Sequence, residues 1–273
     1  MTTNSHTVLG KVAVKRENGG MIPTMLPVNN VRTVSDTKRS FYTLHTRPIN
    51  SIYRRVVDEL MVEMHLLSVN QDFHYDSVYA LGVVSSFDRF MQGYRPEADR
   101  DSIFNALCRS LEGDPQHYRR DDEQLEAFAL RLPSSELVAQ LSHPETITTA
   151  DELKAQLEGI VAGPFKYSRL FAIGLFTLLE ASDLDLAKDE QRRTDTLKQI
   201  GASLHISEEK LLKDIDLYRS NLEKMAQARL LMDDLLQAER KKREKRAADK
   251  ENPPVPAGDS SETDPPKDEA ASS

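Results

Sequence analysis

A few groups of residues in this chain could do chemistry by their type and spacing. Asp72, His74 and Asp76 hold alternate positions in one loop, a spacing at which side chains can converge on a cation. Glu59, Glu63 and His65 fall within two turns of one helical stretch, as carboxylate and imidazole ligands do in di-metal bundles. Cys108 would be a nucleophile if a base stood beside it, and Arg54-Arg55 could meet an anionic ligand or partner. Each has a plainer reading. No fourth ligand accompanies the first group, and Asp76 suits a helix N-cap. No matching set on a second helix accompanies the other carboxylates, Cys108 falls on the apolar side of its helix, and charge on an outer helix face is ordinarily just solvated. The sequence also lacks a Gly-rich phosphate loop, paired cysteines, His-Glu-x-x-His and Gly-x-Ser-x-Gly. The expectation is a protein with no catalytic residue, no metal and no cofactor.

Composition narrows the class. A net charge of −8 argues against nucleic-acid binding, because neutralising phosphates needs surplus Lys and Arg. A single cysteine makes no internal disulfide and favours a reducing compartment. No apolar run reaches the length of a bilayer span, so contact with a membrane would be peripheral.

The elements that must position any site read as helices throughout. The stretch over 47–69 carries Ile49, Ile52, Tyr53, Val56, Val57, Leu60, Met64 and Leu67 at three-and-four spacing, with Pro48 suited to a first turn, and it is expected to be the centre of the domain. Ser35 is read as the cap of a short helix ahead of it. Asp76 then caps a helix bearing Val78, Leu81, Val84, Phe87 and Met91, and further helices carry Ile103, Phe104 and Leu107, then Tyr118, Leu125 and Phe128. Short helices are expected over 134–141 and 149–160. Gly163-Pro164 introduces the most apolar window, 165–179, read as a second core helix, and 184–202 reads as one charged covering segment.

The last helix, capped by Ser207, changes character. Leu211, Ile215, Tyr218, Leu222, Met225, Met232 and Leu236 alternate at four-and-three spacing, with Arg229 at one seam position. Such a seam can pack on its own domain or bind a partner helix. It runs into Arg240-Lys241-Lys242-Arg243-Glu244-Lys245-Arg246, a solubilising helix end or a contact for anionic lipid or an acidic partner. The chain is therefore expected to be all-α. A flexible extension over 1–32 precedes a helical domain over 33–203, followed by a coiled-coil helix over 207–248 and a disordered tail over 249–273. Met21 and Met25 stand just ahead of the ordered region, and translation starting at one of them is a further expectation.

One stretch is specific enough to compare. Residues 33–97, TVSDTKRSFYTLHTRPINSIYRRVVDELMVEMHLLSVNQDFHYDSVYALGVVSSFDRFMQGYRPE, closely resemble the thylakoid formation family, the photosystem II biogenesis factor of cyanobacteria and plastids. The likeness continues through IFNALCRSLEGDPQHYRRD, through Gly163-Pro164-Phe165-Lys166-Tyr167-Ser168-Arg169 and into the final helix, covering roughly 31–246. The resemblance implies an all-helical protein, peripheral to the cytoplasmic side of the thylakoid membrane and partly soluble. It further implies support of photosystem II assembly and repair through membrane FtsH protease complexes. It brings no catalytic residues. With no transit peptide apparent, a cyanobacterial-type member fits. The residues expected to meet a partner are Tyr218, Leu222, Met225 and Arg229 of the seam, and Arg240, Lys241, Lys242 and Arg243 of the basic run. The competing expectations are a peripheral lipid-binding protein acting directly in membrane formation, and a pigment-binding protein with an apolar groove near Phe165 and Phe176.

Overall fold

The computed structural model describes residues 32–251, which form eleven α-helices and no strand. The expectations for residues 1–31 and 252–273, and for the translation start, lie outside the described residues.

Short-range chemistry sets the helix boundaries. Helix α1 (Val34–Leu44) starts at Thr33, not Ser35. The Thr33 hydroxyl accepts from the Asp36 backbone N–H at 3.2 Å and the Asp36 carboxylate accepts from the Thr33 N–H at 3.1 Å, a reciprocal box that Ser35 has no equivalent for. Helix α2 (Ser51–Ser68) is capped by Asn50, whose side-chain oxygen accepts from the Ile52 N–H at 3.2 Å, so Pro48 lies ahead of the helix and not in its first turn. Asp76 caps α3 (Ser77–Phe90), and Asp114 with Pro115 opens α5 (Pro115–Leu130) after α4 (Asp99–Ser110), as their residue types direct. Helices α6 (Ser134–Ser142), α7 (Asp151–Ala162) and α8 (Arg169–Ser182) follow. The charged segment read as continuous is two helices, α9 (Leu184–Lys188) and α10 (Glu190–Ser203). Asp189 leaves the helical conformation between them and caps the second through the Arg192 N–H at 2.8 Å. Helix α11 (Glu208–Glu251) completes the chain.

The centre of the fold is α3 against α8, and α2 flanks it. Every residue of α3 from Ser77 through Phe87, and of α8 from Leu170 through Leu179, is buried, whereas α2 exposes Glu59 and Leu66. A helix buried on all sides needs small residues where its neighbour's backbone comes close. Gly82 and Gly174 supply them. A β-carbon on Gly82 would sit 1.8 Å from the Leu170 carbonyl oxygen, and one on Gly174 would sit 1.9 Å from that of Val78. Helix α5 covers the other side of α3, where Arg119 lies 4.3 Å from the Phe104 ring centre and donates through Nη2 to Asp88 at 3.0 Å.

Two units divide the chain after Leu222. The first includes the opening turns of α11, because Leu211, Ile215 and Tyr218 are buried in it. The helical domain read over 33–203 thus takes in part of the helix read as a separate coiled coil. From Glu223 onward the described part of the second unit is a single helix.

Candidate functional site

The stretch joining α7 to α8 is built into a cleft. Gly163 leaves helical geometry at the end of α7, Pro164 cannot resume the helix, and Ser168 starts α8 by accepting the Phe171 N–H at 3.1 Å. Phe165 folds back with its ring centre 4.9 Å from that of Phe171, and Tyr167 donates its hydroxyl to Asp214 at 2.8 Å. Lys166, Tyr167 and Arg169 then face Val62, Glu63 and Leu66 of α2 across a cleft of about 790 Å³. Arg169 pairs with Glu63. Burial raises the Glu63 carboxyl above its usual range while Arg169 pulls it back down. Lys38 pairs with Asp58 at 3.3 Å and Arg55 with Glu59 at 2.8 Å beside it. These acids and bases are engaged on one another, and Leu66 stands 58% exposed at the rim of the cleft.

The groups that sequence spacing brought forward do not converge. Asp76 is occupied as the cap of α3, with Asp72 and His74 exposed, and no group of three or more His, Cys, Asp or Glu among the described residues is placed to hold a metal. Glu59, Glu63 and His65 go separate ways, to Arg55, to Arg169 and to the Thr37 hydroxyl at 2.9 Å. Cys108 is buried and its thiol is pushed up to about 12 by desolvation. Arg54 and Arg55 are exposed. Of the residues that bordered the expected pigment groove, Phe176 is packed in the core and Phe165 is half-buried against Phe171.

A buried acidic cluster escaped notice in the sequence. Tyr75 donates to Asp121 at 2.7 Å and stacks on His117, ring centres 5.0 Å apart, while His117 Nε2 lies 3.6 Å from Asp121. Asp76 beside them is 6% exposed, and burial lifts its carboxyl to about 7. The four side chains come from α5 and the residues leading into α3, and no spacing rule links them.

Helix α11 carries every predicted partner residue, in two different settings. Tyr218 is buried, edge-on to Phe90 and Phe176 at 5.7 and 6.3 Å, and its phenol is raised to about 12 mainly by desolvation. Leu222 is half-buried, Met225 buried and Arg229 half-buried. Arg240, Lys241, Lys242 and Arg243 are exposed, Arg240 donating to Glu244 at 2.9 Å. Beyond Glu223 the exposed leucines of α11 are Leu230, Leu231, Leu235 and Leu236, each at least 57% accessible. Three of them were missed because only Leu236 follows the four-and-three seam. The paired leucines at 230–231 and 235–236 were the available signal. Among the described residues no helix is long and apolar enough to cross a membrane.

Known proteins resemble this chain over most of its length. A family model described as Thylakoid formation protein matches residues 33–247. Protein Thf1 of Nostoc punctiforme is 62% identical over 230 residues, which are 84% of this chain and 98% of that protein. Protein Thf1 of Trichormus variabilis is 62% identical over 227 residues, 83% and 97% of the two chains. A solved structure of Psb29 superposes with a TM-score of 0.69 at 44% identity, covering 78% of this chain and 98% of that one.

Proposed function

Since the chain belongs to the thylakoid formation protein family, we propose that it is a non-enzymatic thylakoid biogenesis factor. In this reading it supports photosystem II assembly and repair by binding and stabilising membrane FtsH protease complexes at the cytoplasmic side of the membrane. The observation that carries the contact is the outer part of α11, where four leucines are exposed and a run of basic residues follows. Exposed leucines grouped on one helix are the ordinary means of meeting another protein's helix. Tyr218 contributes indirectly, by fixing the base of that helix in the core.

Co-purification from solubilised thylakoid membranes tests the reading. The comparison is the whole protein against a chain ending at Gln227, which keeps Leu211, Ile215, Tyr218 and Met225, the buried residues of α11. FtsH subunits are expected with the first and not the second. Equal recovery from both would move the contact to the helical domain, with the 163–169 cleft as the next place to look. If neither recovers FtsH while the protein sediments with anionic vesicles, the protein works on lipid directly and the adaptor reading fails.

A further inference from the structure

The outer part of α11 has a second face, offset by one residue from the seam of Met225, Arg229, Met232 and Leu236. Lys224, Ala228, Leu231, Leu235, Ala238 and Lys242 recur at spacings of four, three, four, three and four, so they form one continuous stripe along an α-helix. Ala228 is half-buried, the others are exposed, and Leu231 and Leu235 are 65% and 67% accessible. The order of residue types, Lys-Ala-Leu-Leu-Ala-Lys, reads the same from either end, with its midpoint at Asp233.

We propose that this stripe is a self-recognition surface, and that two copies of the chain pair antiparallel through it. A two-fold axis through the midpoint sets Leu231 against Leu235 of the second copy and Ala228 against Ala238, each contact occurring twice, as an isologous interface requires. Antiparallel helices pair their two seam positions with each other, which is the arrangement the four-three spacing supplies. The alanines let the helices approach closely on either side of the leucine layers. Met232, beside the stripe and half-buried, comes near its own copy at the axis, and the Lys224 and Lys242 stems lie along the ends with their ammonium groups in water. Charge selects the direction. A parallel pair would lay the basic run that contains Arg240, Lys241, Lys242 and Arg243 along the same run of its copy, whereas the antiparallel pair places the two runs at opposite ends. Asp233 and Asp234 lie near their counterparts in both arrangements and do not discriminate.

Sedimentation of the purified full chain across the micromolar range is expected to show a reversible monomer–dimer equilibrium. Leu231→Asp and Leu235→Asp each put charge in the central layer and are expected to weaken association by at least about a hundredfold. Both positions are exposed, so the helical content should be unchanged. Direction is read separately with Ala228→Cys and Ala238→Cys proteins and a short bis-maleimide, because these positions face each other across the axis while each lies ten residues, about 15 Å, from its own copy, Cys108 being buried. Cross-links forming when the two variants are mixed, and not within either alone, are the expected result. A chain that stays monomeric throughout, or that cross-links only within each variant, overturns the proposal. Leu231 and Leu235 also belong to the leucines of the adaptor reading, so the dimer is judged on sedimentation and cross-linking alone and the adaptor reading on co-purification with the whole chain and the chain ending at Gln227, and the two can fail independently.

Discussion

Replacing Asp76 with Asn should stabilise this protein, and by more as the pH rises. Asp76 holds the first turn of α3, accepting the Tyr79 N–H at 2.7 Å, but it does so buried and near Asp121. Desolvation and the neighbouring carboxylate outweigh the stabilising backbone N–H groups of Val78 and Tyr79, and the carboxyl is held at about 7 against an ordinary 3.8. A folded-state value above the unfolded one means that stability is fully present below pH 3.8 and is lost as the pH climbs through 7. Integrating between those values gives a loss of about 1.7 kcal/mol by pH 5 and about 4 kcal/mol by pH 8.5. Asn keeps the oxygen that caps the helix and cannot ionise. The variant should therefore gain about 2–3 kcal/mol more over the native protein at pH 8.5 than at pH 5, read by urea unfolding at the two values. An Asn variant whose advantage is the same at both pH values would refute the argument, since the carboxyl would then be titrating in its ordinary range. An Asn variant less stable at both would show that the charge on Asp76 is worth more to the cap than burial costs.

Other substitutions probe separate features. Gly174→Ala forces a methyl against the Val78 carbonyl and should cost more than about 3 kcal/mol, far exceeding the helix-propensity gain of about 1 kcal/mol. Gly159→Ala, with nothing within 4 Å of the added carbon, should instead raise the thermal midpoint by a few degrees. Arg169→Met strands the buried Glu63 carboxylate and should destabilise by about 3 kcal/mol at pH 7, with a smaller loss at pH 4 where Glu63 can take up a proton; an equal loss at both would assign the effect to packing. Cys108 should react with a thiol reagent at pH 8 only after denaturant is added, because it is buried and its thiol titrates near 12.

The helices and most of their ends were legible in the sequence because caps, prolines and glycines act over three or four residues. Asp76 and Asp114 are plain instances, whereas Ser168 was passed over and α8 begins at Arg169, not at Phe165. What stayed hidden depends on contacts distant in sequence. The 47–69 stretch looked central because its apolar residues are large, yet α3 is the more deeply buried helix, with Ala80, Gly82, Ser85 and Ser86 along it. Small residues add little to an apolar pattern, but they decide how closely a second backbone can approach. Glu63 could be read only as solvated or hydrogen-bonded, with Arg169 as its partner invisible at that distance in sequence, and Tyr75 gave no hint of Asp121. In α11 the seam periodicity was real, but the same four-and-three rule fits residues that are buried and residues that face water, and periodicity alone does not say where the domain stops.

The contact between Gly82 and Gly174 also orders events in time. Helix α3 leaves the ribosome well before α8, with α4 to α7 made in between, and until α8 arrives the deepest face of α3 has no permanent cover. Neighbouring helices can associate during that interval, yet the seat prepared for the Leu170 and Val78 carbonyls admits nothing that carries a β-carbon in the glycines' place. Completion of the core therefore waits on synthesis of the second half of the domain, and a nascent chain stalled before Arg169 would present a long apolar surface to chaperones and proteases.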